Sequence, residues 1–288
     1  MNSKLKWLIG TWLLIQAIAV HAQTYTAIEL PFAVGLSDGS DTMGGTPINN
    51  AGQVVGFSFT QSGTVGYLYS NGVTTALAND FIPNAINNSG EIAGTSSTPG
   101  VVTVAAVYNN GALTSIGTLG SEPGYPPSNV PVNESYGVSL NDGGQVVGRS
   151  TAPGGGEPPF LYSNGSMTAP NIGPGAQAAG INNGGTIVGS FIPSPAQNDL
   201  FHAYVYVNGS VTDLGTLGGA QSFGNAINNA GQVTGTAQTA SGQLDAFLSS
   251  NGQMKDLGSL NGSGSIGYGI NTLGQVVGTS NVDGNSLD

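Results

Sequence analysis

Few residues of this 288-residue chain are suited to nucleophilic, acid–base or metal-binding chemistry. Cysteine is absent, which excludes thiolate catalysis, cysteine-ligated metals and disulfides. The two histidines are His21, in an apolar leader, and His202, so a serine triad or a histidine-ligated metal would depend on His202 alone. No Gly-x-Ser-x-Gly elbow, Gly-x4-Gly-Lys loop or His-Glu-x-x-His pair occurs. We expect no catalysis of these types.

Carboxylates are the remaining catalytic candidates, because a glycosidase needs only two of them, one protonated and one ionised. Asp213, Asp256 and Glu29 recur at equivalent positions of an internal repeat. That recurrence favours hydrogen bonds at turns or strand ends over a single catalytic pair. Three unrepeated acids keep a carbohydrate-cleaving enzyme open as an alternative: Asp80, Glu134 and Asp199.

Two short segments, 38–41 and 283–285, carry oxygen ligands for calcium but lack the full twelve-residue loop of a calcium site. The run 262–267 matches a dinucleotide-binding glycine pattern, yet such a match is expected by chance among 48 glycines. We therefore assign no catalytic, cofactor-binding or metal-binding residue and no cofactor. The ligand-binding residues stay unassigned. Tyr125, in the Pro-rich insertion 121–131, is the best candidate for an exposed contact, with a plain solvated loop as the alternative.

The elements that would position these residues come from a nonapeptide that occurs six times. Its first copy reads Ile-Asn-Asn-Ala-Gly-Gln-Val-Val-Gly, and the copies recur at an average spacing of about 44 residues. They begin at Ile48, Ile86, Leu140, Ile181, Ile227 and Ile270. A repeat of this length is typical of solenoids and propellers.

Each unit predicts four short antiparallel strands. Asn-x-Gly within the nonapeptide favours a hairpin turn, because Asn bonds its own backbone and Gly accepts a positive φ. The Val-x-Gly run that follows predicts a strand with a bulge or close backbone approach at the glycine. An apolar, mostly aromatic run ending in Asn-Gly, such as 67–72, follows the first five copies and predicts a third strand covered on both faces, then a second hairpin.

Six such units predict an all-β repeat protein, a β-propeller of about six four-stranded blades with one blade incomplete. The sixth unit is the incomplete one, since only ten residues follow Gly278. The segment 25–30 resembles a fourth strand and would complete that blade if the ring closes. An open β-repeat array is the alternative, and the sequence leaves both possibilities open.

The repeat resembles a known family. His202-Ala203-Tyr204, the run Thr212–Gly219 and the nonapeptide from Ile227 together resemble the HAF repeats of bacterial extracellular proteins, which are named for a His-Ala-Phe tripeptide. The tripeptide recurs as Asp245-Ala246-Phe247, and the other copies diverge further. The resemblance covers essentially all of residues 23–288. It implies secretion and repetition without a defined reaction.

Residues 1–22 read as a secretory signal peptide, with Lys4 and Lys6 before an apolar run and Val20-His21-Ala22 before Gln23. Its removal leaves a domain of residues 23–288 with fifteen acids against two bases, which repels nucleic acid and anionic lipid. No second apolar segment approaches spanning length, so we expect no membrane insertion of the mature chain. The predicted location is extracellular, either secreted or at the cell surface.

The leading functional expectation is a non-enzymatic interaction module that binds a polysaccharide or a cell-surface protein. A surface rich in hydroxyl and amide groups can hydrogen-bond neutral partners without desolvating ions. Two alternatives remain: a carbohydrate-cleaving propeller, and a structural passenger repeat of a longer secreted protein.

Overall fold

The computed structural model describes residue 30 and residues 47–61, 63–97, 103–121, 132–194, 200–260, 262 and 264–281. Throughout these residues the regular secondary structure is β-strand, in 21 strands that form six antiparallel sheets. The strands of each sheet pair in sequence order, and we call them a, b, c and d in that order. The all-β repeat architecture predicted from the sequence is confirmed.

The six sheets follow one another along the chain. Sheet 1 has three described strands: β1 (Val54–Thr60), β2 (Gly63–Ser70) and β3 (Val73–Asn79). Sheet 2 comprises β4 (Phe81–Ile86), β5 (Ile92–Ser97), β6 (Thr103–Asn109) and β7 (Ala112–Gly117). Sheet 3 comprises β8 (Ser135–Leu140), β9 (Val146–Ser150), β10 (Pro159–Ser163) and β11 (Ser166–Thr168).

The remaining three sheets continue this pattern. Sheet 4 comprises β12 (Gln177–Ile181), β13 (Ile187–Phe191), β14 (His202–Val207) and β15 (Ser210–Asp213). Sheet 5 comprises β16 (Gly218–Ile227), β17 (Val233–Thr239), β18 (Leu244–Ser250) and β19 (Gln253–Gly258). Sheet 6 has two described strands, β20 (Ser265–Ile270) and β21 (Val276–Ser280). In sheet 1, strands β1 to β3 are b to d, and Ile48 pairs with Val54 where strand a would end.

Both predicted hairpin turns are present, but in the a–b turn the asparagine that bonds the backbone is one residue before the Asn-x-Gly asparagine of the prediction. In the a–b turn of sheet 2, Asn87 Oδ1 accepts hydrogen bonds from the backbone N–H groups of Ser89 and Glu91, and Gly90 has a φ of 84°. In the c–d turns, both central residues have positive φ, as at Asn110 and Gly111. Two consecutive residues with positive φ match the right-handed twist of the strands that a two-residue hairpin joins, and Asn and Gly adopt positive φ at low energetic cost.

The glycine that follows the paired apolar residues of strand b lies against a bulge in strand a. In sheet 3 the register of β8 and β9 shifts between Gly137 and Ser139. A Cβ on Gly148 would collide with the carbonyl oxygen of Tyr136, and the b-strand glycines of sheets 2, 4, 5 and 6 face an equivalent oxygen. The predicted close approach is thus confirmed, and the carbonyl belongs to the residue that comes two positions before the extra residue of the bulge.

The c strands are covered on both faces, as expected. The side chain four residues before the turn asparagine is fully buried in sheets 3, 4 and 5, at Phe160, Tyr204 and Phe247. Side chains on the opposite face, such as Leu161 and Val205, are half-buried and pack against the core clusters between sheets. Such packing requires a neighbouring sheet on each side, so the units stack face to face.

A buried serine at the start of strand a joins adjacent sheets. Ser135 Oγ accepts a hydrogen bond from the backbone N–H of Ala105 in sheet 2 and donates to the carbonyl of Gly117. Ser222 and Ser265 make the same pair of bonds to the sheets that precede them. In sheets 2 and 5 the donor and acceptor that the serine satisfies lie at a bulge between strands c and d, where they lack ladder partners.

Each sheet packs on the next through one type of junction, in which strand b of one sheet contacts strand a of the following sheet. This contact occurs at all five junctions, from β1 with β4 to β17 with β20. Among the described residues, sheets 1 and 6 are not closed onto each other, so the described part of the chain is an open array of blade-like sheets. The predicted closing segment 25–30 and the leader 1–22 lie outside the described residues, apart from Leu30.

Candidate functional site

The nonapeptide asparagines form a ladder that links the six units. The side-chain Nδ2 group of Asn141 donates to Gln145 Oε1 within its own turn at 2.7 Å and to the carbonyl oxygen of Asn182 in the next unit at 2.9 Å. Its Oδ1 accepts from the backbone N–H groups of Gly143 and Gln145. The inter-unit bond recurs at Asn49, Asn87, Asn182 and Asn228. This asparagine, which occurs in all six copies of the nonapeptide, thus commits the hydrogen-bonding capacity of its side chain to folding at Asn141.

The residues that follow the first five ladder asparagines form a second, exposed column. Asp142 Oδ1 accepts from the backbone N–H of Asn88, and Asp142 Oδ2 accepts from the side chains of Asn88 and Asn183. The hydrogen bond from the Asn88 backbone, together with these side-chain bonds, lowers the pKa of the Asp142 carboxyl group. This column also serves packing between units.

The repeated acids and the single described histidine are at strand ends. Asp213 Oδ1 accepts from the backbone N–H of Gly215 at 2.7 Å, and Asp256 does the same with Gly258. The predicted role in turns is thus confirmed for these two acids. His202 Nδ1 lies 2.8 Å from Asp213 Oδ2, within hydrogen-bonding distance, at the edge of sheet 4.

Several residues that the sequence singled out are not in the described part of the chain: Glu29, Tyr125, Asp199 and the two oxygen-rich segments 38–41 and 283–285. Asp80 occupies the turn between β3 and β4, where its φ is 53°. Glu134 Oε2 accepts a hydrogen bond from the Tyr136 hydroxyl at 2.9 Å. Of the three acids considered for a carbohydrate-cleaving site, Asp80 and Glu134 are the two that the structure describes.

Glu134 belongs to a polar cluster on sheet 3. The Arg149 guanidinium lies 4.3 Å from the centre of the Tyr136 ring, and its Nε is 3.0 Å from Glu157 Oε2. Burial, followed by the hydrogen bond to Glu134, raises the pKa of Tyr136 to about 12. Both carboxylates of the cluster are thereby engaged with neighbouring side chains.

A cleft between sheets 2 and 3 brings polar and apolar side chains together. Its volume is about 270 Å³, just below the range of about 300–1,000 Å³ that is usual for small-molecule sites. Strands c and d of sheet 2, together with Glu91 at the end of its a–b turn, form one wall, and sheet 3 with its a–b turn forms the other. The cleft is lined by Glu91, Val107, Asn109, Ala112, Thr114, Ile116, Leu140, Gly144 and Tyr162. Apolar walls with a few converging polar groups are the usual design of a binding site.

Glu91 and Asn109 provide the polar groups of this cleft. Glu91 Oε1 accepts from Asn109 Nδ2 at 2.8 Å, and Glu91 Oε2 accepts from the ladder residue Asn87 at 2.9 Å. An ionised carboxylate has about four lone-pair sites, so Glu91 retains capacity for further donors. The two amides hold it in place and leave it able to accept hydrogen bonds from hydroxyl or ammonium groups.

The equivalent positions of the neighbouring units are uncharged. Gln53 pairs with Ser70 in sheet 1, and Gln145 pairs with Ser163 in sheet 3, where sheet 2 has Glu91 with Asn109. The glutamine at this position makes the same bond with the ladder asparagine. Folding therefore does not require a carboxylate here. Sequence reasoning missed Glu91, although its departure from the repeat was a visible signal.

Comparison with protein-family models and with curated proteins finds no match. Among solved structures, TolB from Acinetobacter baumannii is similar at 15% identity and a TM-score of 0.48, covering 71% of this chain and 51% of that chain. The β-propeller domain of the Trilobed protease from Pyrococcus furiosus is similar at 9% identity and 0.44, covering 74% and 83%. The Aleuria aurantia lectin AAL in complex with Fucalpha1-6GlcNAc has 13% identity and 0.34, covering 85% and 93%. This chain spans about half the length of the TolB chain.

Proposed function

We propose that the protein is a non-enzymatic extracellular binding module of the HAF-repeat type whose ligand is a glycan held in the cleft between sheets 2 and 3. The observation that carries the proposal is that sheet 2 has Glu91 and Asn109 where sheets 1 and 3 have a Gln–Ser pair, and that Glu91 and Asn109 line the described cleft. The leader-like residues 1–22 and the HAF-like motifs support an exported protein.

The chemistry of the cleft matches a sugar. A pyranose ring presents hydroxyl groups at its rim and C–H groups on its faces. Glu91 accepts hydrogen bonds from hydroxyls, and Asn109 offers an amide beside it. The half-buried Tyr162 ring gives the C–H face an apolar surface, as aromatic residues do where one side of a site is wet. Val107 and Ile116 extend this apolar wall.

Binding without cleavage fits the number of acids in the cleft. Hydrolysis of a glycosidic bond needs two carboxyl groups on opposite sides of the bond. Of the residues that line the described cleft, only Glu91 carries a carboxylate. The cleaving alternative would have to use acids elsewhere, and Glu134 and Glu157 are already paired with Tyr136 and Arg149.

A glycan array tests the proposal with the purified protein and a double variant, Glu91→Gln with Asn109→Ser. This variant converts the cleft to the Gln–Ser form of its neighbours, so its thermal stability should stay close to that of the parent chain. We expect bound glycans to lose affinity by at least about tenfold, because removing a hydrogen bond to a charged group costs roughly 1.5–3 kcal/mol. The matched control Gln145→Glu puts a carboxylate at the next unit's position and should leave binding unchanged.

Two results would overturn the proposal. One is the absence of binding to every glycan, which would redirect attention to protein partners or a structural passenger role. The other is binding that the double variant retains in full. Release of reducing ends from a bound glycan would instead establish the cleaving alternative.

A further inference from the structure

One face of sheet 6 lacks a covering sheet among the described residues, whereas the same face of each preceding sheet is covered. Val277, the second apolar residue of strand b, is 69% exposed. The residues at the same position of the five preceding sheets are completely buried: Val55, Ala93, Val147, Val188 and Thr234. Strand a of the following sheet covers each of them. Sheet 6 therefore presents a junction face that lacks its cover among the described residues.

The hydrogen-bonding ladder is incomplete at the same face. Asn271 Nδ2 donates to Gln275 Oε1, its partner within the turn. The five preceding ladder asparagines also donate to the backbone carbonyl of the next unit, as Asn228 does to Asn271. Within the described residues, Asn271 has no such second acceptor, and it is exposed, whereas Asn228 is buried. A covering strand would need a carbonyl group opposite Asn271.

The opposite end of the array carries the matching half of the junction. Ile48 occupies the position at which strand a ends in the other units and is 58% exposed, while the equivalent residues Ile86, Leu140 and Ile181 are 2%, 4% and 7% exposed. These residues bury themselves against the preceding sheet, so that Ile86 shares a core cluster with Val55 and Ile181 with Val147. Ile48 has no preceding sheet among the described residues, and the carbonyl of Asn49 is the ladder acceptor that this end supplies.

We propose that sheet 6 of one copy of this protein packs on the unit 1 end of a second copy, in a head-to-tail contact that repeats the internal junction. Val277 would meet Ile48 of the second copy as Val55 meets Ile86, and Asn271 would donate to the carbonyl of Asn49. Two different surfaces meet in such a heterologous contact, so it propagates beyond a dimer unless a ring closes. The groups that form it are uncharged, while the chain as a whole carries a net charge of −11. Added salt should therefore strengthen the association by screening repulsion between copies.

Analytical ultracentrifugation of the purified protein over a range of concentrations tests the proposal. We expect the parent chain to form dimers and larger species. Val277→Glu spoils the sheet 6 face, and Ile48→Asp spoils the unit 1 face. Each variant alone should be monomeric, with affinity at least about 100-fold weaker, because the contact would bury an unpaired charge. Since both positions are exposed, circular dichroism should show unchanged folding.

Mixing the two variants provides the decisive result. Each retains one intact face, and the two intact faces are complementary, so an equimolar mixture should form a heterodimer and nothing larger. Leu273→Ser is the matched control, because Leu273 is in the a–b turn, at a position that is exposed in all six units. This control should associate like the parent.

Three outcomes would overturn the inference. A parent chain that is monomeric at all concentrations and is destabilised by Val277→Glu would show that the face is covered within one chain. A parent chain that is monomeric and insensitive to either variant would show that the face stays bare. Association of either single variant with itself would show a contact between identical surfaces.

Discussion

Replacing a ladder asparagine inside the array should cost far more stability than replacing the last one. Asn141 is 3% exposed and makes four hydrogen bonds, two from its Nδ2 group and two to its Oδ1. At a net value of about 1 kcal/mol each, Asn141→Ala should lower the free energy of unfolding by about 4 kcal/mol. Asn271 makes the three bonds within its turn but is exposed, so water can replace the lost partners and Asn271→Ala should cost about 1 kcal/mol or less.

Urea denaturation of the parent and both variants measures these losses. Repeat arrays can unfold in parts, so hydrogen exchange should be followed in β9 and β12 beside the global transition. Asn141→Asp is a further test, because it keeps the Oδ1 acceptor but turns an oxygen toward the Asn182 carbonyl. We expect it to be at least as damaging as the alanine variant. Equal losses at the inner and terminal positions, or a loss below about 1 kcal/mol for Asn141→Ala, would refute the view that this ladder couples the units.

Two further predictions use the repeat itself as the reference. The lowered pKa of Asp142 means that its stabilisation is present at neutral pH and is lost as the pH falls below the ordinary value of 3.8. Asp142→Asn places at this position the residue type that the preceding unit has at Asn88. It should remove the loss of stability at acid pH and should cost less than about 1 kcal/mol at neutral pH, because solvent screens the exposed group. Urea titrations between about pH 2.5 and 7 measure both effects, and an unchanged dependence of stability on pH would contradict the role given to Asp142. Burial, and then the charge of Asp256, raise the pKa of Asp245, so this acid destabilises the fold above its pKa. Asp245→His would place a histidine opposite Asp256, as His202 lies opposite Asp213. This variant should raise stability by about 1 kcal/mol near pH 5.5 and by less at about pH 8, where the imidazole is neutral. Thermal melts at both pH values measure the change, and either a loss of stability or an equal gain at the two values would argue against the prediction.

The local features of each unit could be predicted because they depend on single residues and their backbone preferences. Asn110 and Gly111 sit in a turn that requires two positive φ angles, and few residue types accept them. Gly148 lies so close to the carbonyl oxygen of Tyr136 that the Cβ atom of any other residue would clash with it. Repetition of such requirements at a spacing of about 44 residues indicated one sheet per unit.

The contacts between units could not be predicted in the same way. The bond from Asn141 to Asn182 joins residues 41 positions apart, and the sequence does not reveal which atoms of two turns will meet. The same holds for the cleft, where Glu91 comes from a turn of sheet 2 and Tyr162 from a strand of sheet 3. The glutamate is visible as a departure from the repeat, but its neighbour across the cleft is not.

The sequence by itself determined the unit: its four strands, its turns and the glycine that each bulge requires. It did so because φ, steric exclusion and alternation of side chains act over a few residues. The tertiary structure decided how the units join, which side chains share the cleft with Glu91, and that Val277 is left bare while Val55 and Val147 are buried. These outcomes depend on how one sheet is placed against the next, and that placement is a property of surfaces that only the folded chain brings together.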